Sequence, residues 1–127
     1  MSALLEQLTS RHGLPALDAD EATRFAAEET LGVLFFPGHG QNQSETGDVA
    51  VILPELLGAF PGLRGAVVGA AAEALVAPRF AVLTFPSLVF VAKGVQVGAI
   101  PKIRAWSEML ERAAKFVATA ALNSSAS

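Results

Sequence analysis

The apolar positions along this chain change period repeatedly, and each change marks a predicted element. Gly32-Val33-Leu34-Phe35-Phe36 is apolar without alternation, as suits a central strand covered on both faces, and Pro37-Gly38 ends it. Gly65-Ala66-Val67-Val68-Gly69 is a second short apolar strand, and Leu14 to Leu17 is a candidate third ahead of both. Between them the spacing turns helical. Leu4, Leu5 and Leu8 make a short stripe over residues 3–11 that Gly13 stops. A second helix runs from Asp18 or Asp20 to about Glu29, either aspartate being able to accept from a free N–H of the first turn, with Phe25 and Ala22 or Ala26 facing inward. A third starts near Asp48 and puts Ile52, Leu53, Leu56, Leu57 and Phe60 on one side, with Pro54 inside it as a source of a kink. The alanine-rich run Ala71 to Ala77 is a short helix that cannot pass Pro78.

The next stretch, Thr84-Phe85-Pro86-Ser87-Leu88-Val89-Phe90, reads as a buried strand entered through a proline. Proline cannot donate to a sheet ladder, so Phe85-Pro86 is a bend at the strand's start. Lys93-Gly94 turns the chain into a second strand, Val95 to Val97, giving a hairpin. Gly98-Ala99-Ile100-Pro101 leads to a last helix whose apolar stripe is Ile103, Trp106, Leu110, Ala113 and Val117, with Trp106 expected in the core. The tail, Asn123 to Ser127, is small and polar and expected to be disordered. The resulting order, β-α-β-α-β-α-β-β-α, predicts one α/β domain over residues 1–127, a sandwich of helices around a mixed sheet.

Composition narrows what such a domain can do. With 52% hydrophobic and only 17% charged residues, 127 residues suffice for one real core and leave a face low in charge. No apolar run approaches the roughly 18 residues of a membrane span, and the start lacks a basic region followed by an apolar core, so a cytoplasmic location is expected. The absence of cysteine removes disulfides, thiolate nucleophiles and thiolate metal sites together. Net charge is −3, with no basic field for nucleic acid. It is unevenly spread: residues 1–55 hold nine carboxylates against two arginines, while residues 56–127 hold seven basic groups against three acidic ones. An acidic half of this kind attracts a cationic partner segment.

No catalytic constellation emerges. His12 and His39 are isolated, which leaves nickel or zinc without a ligand set, and no other cofactor is implied. Ser44 and Ser87 form no nucleophile arrangement with the histidines, and Gly38-His39-Gly40 lacks the third glycine and the lysine of a phosphate loop.

The element order resembles the thioredoxin fold, a three-layer α/β/α sandwich, over residues 14–118. Gly32 to Phe36 matches its central strand, Pro54 its helix-kinking proline, Phe85-Pro86-Ser87 its cis-proline turn, and Gly98-Ala99 the glycine before its last helix. Counted back from Pro54, Thr46-Gly47-Asp48-Val49 stands where thioredoxins carry Cys-x-x-Cys, so the resemblance implies the fold without its redox chemistry. Leu34 to Gly38, Glu45 to Leu56, and Phe85 to Phe90 with Gly98-Ala99-Ile100 resemble the HupG/HyaE hydrogenase-expression family more narrowly. That resemblance implies a non-catalytic maturation chaperone for uptake nickel-iron hydrogenase. Its partner would be the immature small subunit, bound near its twin-arginine signal before export, with other maturation proteins as further partners. A structural assembly subunit that ignores the signal is the alternative, and a redox-related protein a more distant one.

On this reading the peptide-binding candidates are Glu45, Thr46, Asp48, Val49, Phe85 and Pro86. Glu45 and Asp48 could pair with signal arginines through charge-assisted bonds, and the backbone beside Pro86 could pair with an extended peptide. Phe85, Phe36 and Val49 could meet its apolar part. Each has a purely structural reading as well: Thr46 or Asp48 as a helix cap, Pro86 as a turn that sets strand geometry, and the apolar three as core.

Overall fold

The computed structural model describes residues 13–38, 43–101 and 105–126, with side chains at 13–38, 51–101 and 105–121. The helix expected at residues 3–11, both histidines, the whole 39–42 connection and Ile103 lie outside the described residues. In chain order the elements are β1 (Ala16–Leu17), α1 (Ala19–Glu28), β2 (Gly32–Phe36), α2 (Gln43–Ala59), β3 (Arg64–Val68), α3 (Ala70–Val76), a 3-10 turn (Ala77–Phe80), β4 (Ser87–Ala92), β5 (Val95–Pro101) and α4 (Trp106–Ala126).

The five strands form one sheet in the order β1-β3-β2-β4-β5. β1, β3 and β2 run parallel, and β4 and β5 are added antiparallel. β2 lies in the middle, and all five of its residues are buried. Strict alternation along it sorts the core into two layers. Val33 and Phe35 face the layer that holds Leu53 and Leu56 of α2 and Met109 and Ala113 of α4. Leu34 and Phe36 face the layer of Ala22 and Ala26 from α1 and Ala72 and Val76 from α3. A strand buried on both sides needs no polar alternation, which is why Gly32 to Phe36 carries none.

Local chemistry sets the element ends. Asp18 caps α1 through a reciprocal box: its Oδ1 accepts from the Glu21 N–H at 2.8 Å, and its own N–H donates to Glu21 Oε1 at 3.0 Å. α3 stops at Val76, and Pro78 occupies the opening of the 3-10 turn, where a missing N–H costs nothing. The β4–β5 hairpin turns on Lys93 and Gly94, with φ of 45° and 88°, the left-handed pair that matches the twist of the flanking strands. At Gly98 the sheet comes so close to α4 that an added methyl group would collide with the Phe116 ring, which also packs against Phe90 at 5.2 Å between centroids.

Four sequence expectations need correction. α2 begins at Gln43 rather than near Asp48, because an interior glycine such as Gly47 costs only about 1 kcal/mol in a helix and does not stop one. β5 continues past Val97 to Pro101, still paired with β4. Trp106 is 39% exposed rather than core. It is the first residue of α4, one turn before the buried stripe of Met109, Ala113 and Ala120 begins. α4 also runs to Ala126, through the segment expected to be a disordered tail, since the alanine- and leucine-rich turn before it propagates the helix.

Candidate functional site

At one end of the sheet the chain leaves β2, crosses to α2, and passes close to the segment that enters β4. The β2–β4 register pairs Phe36 with Ser87, so the residues after Phe36 and those before Ser87 emerge side by side. Gly38 marks their meeting. Its φ is +73°, a conformation glycine tolerates without the steric cost of a Cβ, and an added methyl group would run into the Phe85 side chain.

Two polar contacts brace this junction. The buried Gly38 N–H donates to Glu73 Oε2 at 2.8 Å, tying the exit of β2 to α3. Ser87 Oγ donates to the Thr84 carbonyl at 2.6 Å, closing the turn around Phe85-Pro86, whose peptide bond is cis. Upstream, Phe80 packs against Phe36 at 6.1 Å between ring centroids, and Ala81 at φ 56° turns the chain out of the 3-10 segment. Leu83, which follows, is 90% exposed, an unusual state for a leucine four residues before a core strand.

The sequence candidates are distributed as follows. Phe85 is half-buried and Pro86 buried, so Pro86 offers a client no ring face. Phe36 is fully buried and belongs to the core. Glu45, Thr46, Asp48 and Val49 fall within the first two turns of α2, and their side chains lie outside the described residues. With the helix starting at Gln43, neither Thr46 nor Asp48 is its N-cap. Negative charge in these turns still suits the positive end of the helix dipole.

Among the described residues no group of three or more histidine, cysteine, aspartate or glutamate side chains could hold a metal ion. No described helix is long and apolar enough to cross a membrane. A cleft of about 390 Å³ opens between Leu14, Leu57 and Leu63 beside the start of β3, away from the β2 exit.

Sequence reasoning passed over Gly38, Glu73 and Leu83. A signal for Glu73 was present: in Gly69-Ala70-Ala71-Ala72-Glu73-Ala74-Leu75-Val76, helical spacing places it on the same face as Ala72 and Val76, both buried.

The model of the family described as Hydrogenase-1 expression protein HyaE matches residues 4–109. The chain belongs to this hydrogenase expression/formation family. It is 43% identical over 109 residues to the hydrogenase expression/formation protein HoxO of Azotobacter vinelandii, covering 86% of this chain and 74% of that protein. With HupG of Rhizobium leguminosarum bv. viciae the identity is 44% over 116 residues, 87% of this chain and 78% of the relative. The crystal structure of the putative HupG of Rhodopseudomonas palustris CGA009 superposes with a TM-score of 0.57 at 38% identity, over 83% of this chain and 96% of that one. The fold extends beyond the family. Oxidized mitochondrial thioredoxin 3 from Saccharomyces cerevisiae superposes with a TM-score of 0.66 at 16% identity, over 80% of this chain and 96% of that one. The HyaE-family chain is therefore a hydrogenase expression/formation protein on a thioredoxin scaffold, and it has no cysteine.

Proposed function

We propose that this protein is a non-catalytic maturation chaperone that holds the immature small subunit of an uptake nickel-iron hydrogenase near its twin-arginine signal, in the cytoplasm, before export. The observation that carries the reading is a substitution within the fold: the turns of α2 that bear thiols in redox-active thioredoxins here read Thr46-Gly47-Asp48-Val49. Thiol exchange needs a thiolate, so a cysteine-free chain retains the scaffold's surface without its reaction.

The chemistry of that surface suits a cationic segment followed by an apolar one. Glu45 and Asp48 supply carboxylates that match planar guanidinium groups. The helix end competes for the same carboxylates, so their contribution to affinity is modest. Leu83 and Phe85 supply apolar area at the turn that enters β4. Titration with a peptide carrying the paired arginines, and with its Lys-Lys and Ala-Ala counterparts, tests the reading. Arginine-selective binding is expected. Equal or absent binding across the three would remove signal recognition and leave the assembly-subunit role.

A further inference from the structure

Glu73 and Ser87 are the buried polar side chains among the described residues, and both brace the same junction. Ser87 closes the Phe85-Pro86 turn through the Thr84 carbonyl, and Glu73 reaches across from α3 to the Gly38 N–H that packs beneath Phe85. The surrounding layer is apolar: Ala72, Val76, Phe36 and the Phe85 ring. A polar group is costly in such a layer unless it is bonded, and an apolar residue of similar volume would fill the space without that cost. What an apolar residue cannot do is hold the Gly38 amide in one place.

We infer that Glu73 is a positioning residue: by accepting from the Gly38 N–H it fixes the exit of β2 against Phe85, and so holds the Phe85-Pro86 turn in the position that a client would meet. This rests on the proposed client-binding role for the use of that turn, but the clamp itself is independent of any client. Gly38 has no side chain to hold it in place, so its position depends on backbone contacts, of which this bond is one. A displaced Gly38 would free the Phe85 side chain that packs on it, and a client resting on Phe85 and Leu83 would lose register.

The test pairs amide exchange in the free protein with titration of the paired-arginine peptide, on the full chain and on Glu73→Gln, Glu73→Asp and Glu73→Leu. Glu73→Gln keeps an oxygen acceptor at the same reach, so Gly38 exchange and peptide affinity should stay within about twofold of the parent, while Glu73→Leu should speed Gly38 exchange and weaken the peptide by roughly tenfold or more. Glu73→Asp, shortened by one methylene, should fall between them, and it serves where the leucine variant does not fold. Core amides such as those of Leu34 and Val89 report global stability. A purely structural role would accelerate them together with Gly38 and leave affinity per folded molecule unchanged, and that result would overturn the inference. Unchanged Gly38 exchange in Glu73→Leu, or a Glu73→Gln variant as impaired as the leucine one, would overturn it too. A parent chain that binds none of the peptides would sink the client reading and the use of the turn, while the exchange arm would still decide the clamp.

Discussion

Gly38 and Gly98 both lie against a phenylalanine side chain that an added methyl group would strike, yet they serve different neighbourhoods. Gly98, in β5, makes room for Phe116 of α4, and the contact is wholly apolar: the ring continues onto Phe90 and closes the layer shared with α2. Gly38 makes room for Phe85 at the end of the sheet, where the chain is also held by two polar bonds and where a nearby leucine stays in water. One glycine serves packing. The other serves a junction whose geometry is set by hydrogen bonds, in a place where packing alone would have sufficed for stability. On the proposed reading, the difference separates the part of the molecule that keeps it folded from the part that meets a client.

The largest effect should come from the packing region. Phe90→Ala removes a fully buried ring of β4 that packs against Phe116 of α4 and should cost about 3–5 kcal/mol, read as a drop in denaturation midpoint, with peptide affinity per folded molecule unchanged. A large loss of affinity without loss of stability would erase the distinction drawn here.

The two glycines give a sharper contrast. Gly38→Ala combines a left-handed backbone with a collision against Phe85 and should cost about 2–4 kcal/mol, together with a loss of peptide affinity. Gly98→Ala meets only the Phe116 ring in an extended strand and should cost about 1–3 kcal/mol with affinity preserved. Denaturation curves and peptide titrations on both variants decide it; equal effects on affinity would mean that the junction is not special. The smallest effect should come from charge. Glu45→Gln with Asp48→Asn should weaken paired-arginine binding by about 1 kcal/mol or less and flatten its salt dependence, leaving the denaturation midpoint near that of the parent.

Much of the fold was legible in the sequence, for physical reasons that can be named. The uninterrupted Gly32 to Phe36 run, ended by Pro37-Gly38, suits a strand covered on both sides, and it is the strand on which the two core layers divide. Asp18 stood with Asp20 as a possible cap, and the structure chooses Asp18, while Phe85-Pro86 marked a bend ahead of a buried strand. The start of α2 was not legible, because Gly47 looks like a stop and is only a weak cost to a helix held by packing further along. Trp106 misled for a related reason: helical spacing gives the stripe but not where along the helix the core begins.

The candidate site was less legible still. The sequence marked Phe85 and Pro86 as a turn, and the structure leaves Phe85 half-buried and Pro86 hidden. The exposure of Leu83 and the bond between Glu73 and Gly38 are tertiary facts, produced by elements 35 residues apart along the chain, and no local pattern encodes such a meeting. The face of α3 on which Glu73 lies could be read from spacing. Its partner could not.

The central claim is that a scaffold without thiols recognises an export signal. The most direct measurement is capture of the hydrogenase small subunit by this protein with the signal intact and with it deleted. The account predicts retention of the intact precursor and loss of the shortened one. Equal retention of both would contradict it.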